Sequence, residues 1–261
     1  MELGLHGKTA LVFGAAGGLG SAIARALALE GVNLVLADVN EASLSDKAAE
    51  FKAVGVAVMP LVWNLTDLGS IGDRFQLIED RFGPVDILVN NTGGPPPTTA
   101  GGQPVERWHE YFQTMVLSVI AVTDRALPNM RARKWGRIIT STSSGVVAPI
   151  PNLGISNTLR MALVGWSKTL AREVGYDGVT ANIVLPGRIA TPRISFIDEQ
   201  KAKREGRPVD EVVKESLESI PIGRYGRPEE YGAVVAFLSS IHAAYVTGSV
   251  IRVDGGLIPS I

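Results

Sequence analysis

Short apolar runs alternate along this chain with longer stretches in which apolar residues recur every three or four positions. The runs at 9–13, 33–37, 56–62, 85–90, 137–142, 180–185 and 249–253 predict strands. Most are nearly continuous in apolar content, which suits parallel strands covered on both faces. The stretches 18–30, 41–54, 68–82, 105–133, 155–174 and 228–239 carry the helical period. Strand-helix alternation of this kind predicts an α/β fold, a doubly wound parallel sheet in a single domain spanning 1–261.

Two stretches break the rhythm. Gly93-Gly94-Pro95-Pro96-Pro97 through Gly102 predicts a rigid loop directly after a strand. Residues 191–221 form a polar, charged excursion before the last strand. Open α/β sheets bind ligands at the carboxyl ends of their strands, so the excursion is a candidate substrate lid. A surface helix pair with a solvated face is the other reading of the same residues.

Composition adds limits. The chain has 261 residues, 46% of them apolar, and a formal net charge of −1. That is enough for one sizeable core, and it gives no electrostatic case for nucleic acid or an acidic membrane surface. The absence of cysteine excludes disulfides, thiolate metal sites and a cysteine nucleophile. The first residues lack the apolar core of a signal peptide, and no apolar run is long enough to span a bilayer. The expectation is a cytoplasmic protein with a small-molecule substrate. His6, His109 and His242 lack metal-ligand spacing, so no metal site is expected.

The first strand runs into Gly14-Ala15-Ala16-Gly17-Gly18-Leu19-Gly20 and then a helix. Gly14 permits a tight turn, Gly18 lets backbone approach a pyrophosphate, and Gly20 permits close helix-strand packing. The helix start then offers free N–H groups and a favourable dipole to phosphate. Asp38 ends the second strand, eighteen residues after Gly20. A carboxylate there can bind both ribose hydroxyls and repels a 2′-phosphate, which favours NAD over NADP. A helix cap or turn is the alternative for Asp38.

With these motifs the chain resembles the short-chain dehydrogenase/reductase family, and its 3-oxoacyl-ACP reductase-like members most of all. The resemblance covers nearly the whole chain. It is carried by Gly14, Gly18 and Gly20, by Asn64-Leu65-Thr66-Asp67, and by Asn90-Asn91-Thr92-Gly93. Asn182, Pro186-Gly187-Arg188-Ile189-Ala190-Thr191, Tyr245 through Gly248 and Val253 through Gly256 continue it in order. Phe13 stands where the family has threonine. The resemblance implies a Rossmann-type sheet of seven strands and a nicotinamide dinucleotide. It implies that Leu19, Asn64 and Leu65 belong to the dinucleotide site, and that Asn91 and Gly93 line the cofactor groove. Pro186, Gly187, Ile189 and Thr191 would hold the nicotinamide end. Asn90 and Asn182 read as backbone architecture.

The same resemblance exposes departures. Aligned through Gly136-Arg137-Ile138-Ile139, the family's serine falls on Ser143, its tyrosine on Ser156, its lysine on Arg160 and its relay asparagine on Met115. In the family the tyrosine phenol exchanges a proton with the substrate oxygen while hydride moves, its pKa lowered by the lysine. A serine hydroxyl is a much poorer proton donor and is shorter by a ring. Arg160 can hold ribose hydroxyls and supply charge but cannot join a proton relay. Ser143, Ser156 and Arg160 remain the candidate catalytic set. Each has a plainer role available: a strand cap, a filler and a helix salt bridge. Arg188 is a candidate partner for an anionic substrate or one half of a surface ion pair. Lys168 lies two turns beyond Arg160, too far to replace the lysine. His109 and Tyr111 either reach the site or face solvent.

The expected function is an NAD(H)-dependent oxidoreductase acting on a carbonyl or hydroxyl by a non-standard proton route. A non-redox enzyme on the same scaffold and a catalytically silent NAD-binding or sensing protein are the alternatives. Halohydrin dehalogenases, which resemble the family, also carry arginine for lysine, but keep the tyrosine and lose the glycine-rich turn. By resemblance the chain forms a homotetramer or homodimer through 105–133 and 155–174, with Ala162, Leu163 and Gly165 allowing close helix approach.

Overall fold

The computed structural model describes residues 2–261. In chain order its elements are β1 Thr9–Phe13, α1 Gly18–Leu29, β2 Asn33–Asp38, α2 Glu41–Lys52, β3 Val58–Val62, α3 Ile71–Phe82 and β4 Ile87–Asn90. They continue with α4 Val105–Phe112, α5 Ser118–Ala132, β5 Gly136–Ser141, α6 Gly154–Val174 and β6 Val179–Pro186. The last four are α7 Pro192–Glu205, α8 Val209–Glu218, α9 Pro228–Ser239 and β7 Val250–Val253. All seven strands pair in parallel in one sheet, ordered β3-β2-β1-β4-β5-β6-β7.

Every residue of β1, β4 and β5 is buried, as their continuous apolar content predicts for strands covered on both faces. One core joins α1 and α9 to the sheet through Ile23, Leu27, Leu34, Leu36 and Val235. The other packs Phe75, Ile78, Val122, Met130 and Leu170 against the opposite face. At the edge, β3 buries only Val58 and Leu61 and leaves Pro60 and Val62 exposed. The opposite edge, β7, is open along its length, with Val250 40% exposed.

The sequence pattern overruns several elements. Strands β3 and β4 begin two residues later than the runs at 56–62 and 85–90, because apolar content continues into the connecting loops. Residues 68–70 form a separate 3₁₀ turn ahead of α3. The predicted helix 105–133 is α4 and α5 joined by a π-helical turn, Gln113–Leu117. Such a turn keeps the chain helical through one wider turn, so the stretch reads as one continuous helix.

The chain reverses its direction of winding between β1, which pairs with β2 on one side, and β4 on the other. The loops after these two strands separate there and open a crevice at their carboxyl ends, where open α/β sheets bind ligands.

Candidate active site

The crevice is a cleft of about 1120 Å³. It is lined by the first turn, Asp38, Trp63, Asn64 and Leu65, by Ser143, Ser156 and Arg160, and by the start of α7, which packs on Gly18 of the first turn.

The glycine turn is built as its sequence suggests. Gly14 adopts φ +62°, a left-handed conformation that strains any other L-residue. A side chain there would also strike Asn91, whose Nδ2 would be 2.7 Å from the added Cβ. Gly20 packs so closely on the turn that an added Cβ would lie 2.1 Å from the Gly14 carbonyl oxygen. Helix α1 starts without a side-chain cap, so its first-turn N–H groups remain available to a ligand. Gly18 has an additional neighbour: an added Cβ would meet Thr191 Cγ2 at 2.7 Å. Its bareness therefore also seats the start of α7.

Asp38 bridges this turn to β2. Its Oδ2 accepts from the Ala16 N–H at 3.1 Å, and its Oδ1 from the Val39 and Asn40 N–H groups at 2.8 and 3.2 Å. The N-cap of α2 is Asn40, which accepts from Ser43, so the helix-cap alternative for Asp38 does not hold. The turn role does, and the carboxylate still lines the cleft. Asn91 Nδ2 donates to the Phe13 carbonyl at 3.3 Å, pinning the loop after β4 to β1. Asn64 accepts from the Thr66 N–H at 3.0 Å. Asn64, Leu65, Asn91, Gly93, Pro186, Gly187, Ile189 and Thr191 all line the cleft. Gly20 does not; it shapes the turn from behind.

Ser143 follows β5 in extended conformation and its Oγ accepts from the Gly145 N–H at 3.1 Å. It caps the short turn after the strand, yet it also faces the cleft. Ser156 lies on α6, one turn before Arg160, as helical spacing requires. Arg160 is 8% exposed. Its Nη2 donates to the Thr92 and Gly93 carbonyls at 3.1 and 3.2 Å, and its Nη1 to the Ser141 carbonyl at 3.4 Å. Burial, with the Arg193 charge nearby, pushes its pKa down to about 10, well above neutrality. Arg160 is thus a buried cation that ties α6 to the ends of β4 and β5. The helix salt bridge foreseen as its plainer role does not form. Its five N–H donors exceed the three carbonyls, leaving donor capacity at the cleft wall.

Met115 takes no part in the cleft. It is 1% exposed, within the π-helical turn, packed with Val116, Val119, Ile155, Leu159 and Leu163. Tyr111 and Thr114 reach the cleft from the same helix, whereas His109 is exposed and does not. Arg188 pairs with Asp198 at 2.6 Å, and Asp198 is 1% exposed, so this is a partly buried ion pair and not a surface one. Tyr225 donates to the same carboxylate at 2.7 Å. Lys168 donates to the Gly248 carbonyl at 2.9 Å and lies away from the cleft wall. Asn90 donates to Thr123 on α5 and Thr140 on β5, and Asn182 bonds to the loop at Val246 and Ser249, as backbone architecture.

Three features were not foreseen. Arg193, on the first turn of α7, enters the cleft and donates to the Pro95 carbonyl at 2.9 Å. No spacing rule marks it, because it lies in the charged excursion. Thr142 Oγ1 and Trp63 Nε1 are buried at the cleft without a hydrogen-bond partner among the described residues. Tyr231, fully buried, shares a 2.8 Å hydrogen bond with Ser141 beneath the site and donates to the Val184 carbonyl. Burial pushes its phenol up, which makes it a poor acid. The excursion 191–221 is a helix pair, α7 and α8, of which Arg193, Ile194, Ile197 and Ser219 wall the cleft.

Comparison with known proteins places this architecture. The family described as enoyl-(acyl carrier protein) reductase matches residues 14–258. The chain is 34% identical to the D-beta-hydroxybutyrate dehydrogenase of Cupriavidus necator over 253 residues, 97% of this chain and 98% of that one. It is 35% identical to the 3-oxoacyl-(acyl-carrier-protein) reductase of Escherichia coli, covering 98% and 99% of the two chains. Its structure is similar to that of L-sorbose reductase from Gluconobacter frateurii, complexed with NADPH and L-sorbose. That match has a TM-score of 0.94, 32% identity and full coverage of both chains. An NAD⁺-bound xylitol dehydrogenase matches at a TM-score of 0.90 and 26% identity, over 97% and 99% of the chains. This chain belongs to the short-chain dehydrogenase/reductase family, and is a nicotinamide-dependent oxidoreductase of carbonyl and hydroxyl substrates.

Proposed function

We propose that this enzyme prefers NAD(H) to NADP(H) and transfers the substrate proton without a phenol. The observation that carries the second half is Arg160: a buried guanidinium, one helical turn from the small hydroxyl of Ser156, stands where a tyrosine-lysine pair would act. The first half rests on Asp38. Its carboxylate lines the cleft at the end of β2 and would repel a 2′-phosphate.

The residues present fit a dinucleotide. The uncapped start of α1, behind the bare Gly14–Gly18 turn, suits the diphosphate. Trp63 offers an unpartnered indole N–H on the same side as Asp38. Pro186, Gly187, Ile189 and Thr191 form the wall suited to the nicotinamide. When bound, the dinucleotide supplies or accepts the hydride.

The protein's own contribution lies at the substrate oxygen. Ser143 Oγ and the spare Arg160 N–H groups donate hydrogen bonds that stabilise negative charge developing there. Ser156 leaves room for water, which gives its proton to that oxygen in reduction and takes it back in oxidation. The Thr142 hydroxyl is available to hold the same water. Arg160 stays charged at neutral pH and moves no proton itself.

The exposed apolar residues on α6 and its neighbour favour a homodimer or homotetramer. Met161 is 48% exposed, Phe112 39% and Leu117 38%. Ala162 and Gly165 lie on the open side of α6, whereas Leu163 is 1% exposed in the core and takes no part in that face.

The test is a titration with NAD⁺, NADH, NADP⁺ and NADPH, followed by a carbonyl and alcohol screen with the tightest binder. Preference for NADP(H) would remove the Asp38 argument. Binding without turnover, with activity created by Ser156→Tyr and Arg160→Lys, would favour a silent binding protein. Turnover without added nucleotide would favour a non-redox enzyme.

A further inference from the structure

We propose that Arg160 and Arg193 together bind a carboxylate on the substrate, making this an enzyme of oxo acids and hydroxy acids. The substrate class rests on the oxidoreductase reading above; the anion site stands on its own geometry.

Both guanidinium groups converge on one small region. A Cβ placed on Gly94 would lie 3.4 Å from Arg160 Nη2, 3.7 Å from Arg193 Nη2 and 3.9 Å from Ser156 Oγ. Glycine at 94 keeps that region open, and all four residues line the cleft. The two arginines come from different elements, α6 and the first turn of α7. Each is held by backbone carbonyls of the loop after β4: Thr92 and Gly93 for Arg160, Pro95 for Arg193.

Among the described residues, no carboxylate forms an ion pair with Arg160 or Arg193, whereas Arg188 nearby is neutralised by Asp198. Among the described residues Asp38 is the only acidic one lining the cleft, and it is bonded to the glycine turn at Ala16. Burial lowers the proton affinity of both guanidinium groups, and the Arg193 charge lowers that of Arg160 further. An anion between them relieves this repulsion. Arg193 Nη2 donates to one carbonyl and keeps a free N–H for a carboxylate oxygen, while Arg160, its Nη2 already bonded to two carbonyls, adds its positive charge beside it.

A diphosphate is the other possible source of the anion. The region at Gly94 adjoins Ser156, at the reacting end, while the uncapped start of α1 already provides a diphosphate site behind Gly14. The substrate carboxylate is therefore the better match.

Calorimetric titration of paired probes tests this: pyruvate, acetoacetate and levulinate, each against its methyl ester. They are added to protein saturated with NAD⁺, where both partners are oxidised and no hydride can pass, and to dinucleotide-free protein. At least one acid should bind at least about tenfold tighter than its ester. Arg193→Gln should erase that difference and leave NAD⁺ affinity unchanged; Arg193→Lys should keep part of it. Equal binding of every acid and its ester, or no binding of any acid, would overturn the proposal. So would an Arg193→Gln variant that loses NAD⁺ affinity but keeps the acid-ester difference, since Arg193 would then serve the diphosphate. If no dinucleotide binds, the oxidoreductase reading fails, and the acid-ester difference in dinucleotide-free protein still decides the anion site.

Discussion

Arg160 Nη2 donates to the Gly93 carbonyl oxygen at 3.2 Å, joining the middle of the cleft-lining helix to the loop after the fourth strand. The bond makes Arg160 structural as well as electrostatic. Arg160→Met would leave the Thr92, Gly93 and Ser141 carbonyls short of a donor. The expected loss is about 2 kcal/mol of stability, read as a lower denaturant midpoint. Amide exchange across 92–97 should quicken at the same time. Unchanged exchange there would mean that the loop is held by other contacts.

Gly20→Ala places a methyl carbon 2.1 Å from the Gly14 carbonyl oxygen. The turn must open to admit it. Stability should fall by about 2 kcal/mol or more, and dinucleotide affinity should fall with it. Equilibrium unfolding and a binding titration check the two effects.

Asp38→Ser removes the only carboxylate that lines the cleft among the described residues. The preference for NAD over NADP should shrink by about tenfold or more, mainly through improved NADP affinity. Competitive titration of the two dinucleotides reads this directly.

The proton route has a pH signature. Position 156 carries a serine hydroxyl in place of the family's phenol, and the Arg160 guanidinium, its pKa pushed down to about 10, stays charged through neutrality. The rate of carbonyl reduction should lack a phenol ionisation between about pH 6 and 9. Installing Ser156→Tyr and Arg160→Lys together should introduce that ionisation and raise kcat by about 100-fold. A phenol-like ionisation in the unaltered enzyme would contradict the proposed route.

The sheet was legible because its strands are continuous apolar runs and its helices keep one period. The glycine turn was legible because Gly14 and Gly20 answer steric demands that only glycine meets. Ser156 and Arg160 could be placed on one helix face by their spacing of four. Other features depend on distant segments. Arg193 reaches the cleft only because α7 folds back over it, and its position in a charged stretch carries no mark of that. The Asp198 partner of Arg188 is buried by the same helix pair. The π-helical turn around Met115 keeps the chain helical between α4 and α5, so two helices read as one. Leu163 looked like a surface residue because Ala162 and Gly165 flank it, yet helical rotation turns it into the core with Met115.

The central claim is hydride transfer without the tyrosine. NADH carrying deuterium at its transferable C4 position, incubated with the unaltered enzyme and a panel of oxo acids and ketones, tests it most directly. Mass spectrometry should find deuterium on the carbinol carbon of a product alcohol, in amounts equal to the NADH consumed. Tight NADH binding with no deuterium in any product would contradict the account.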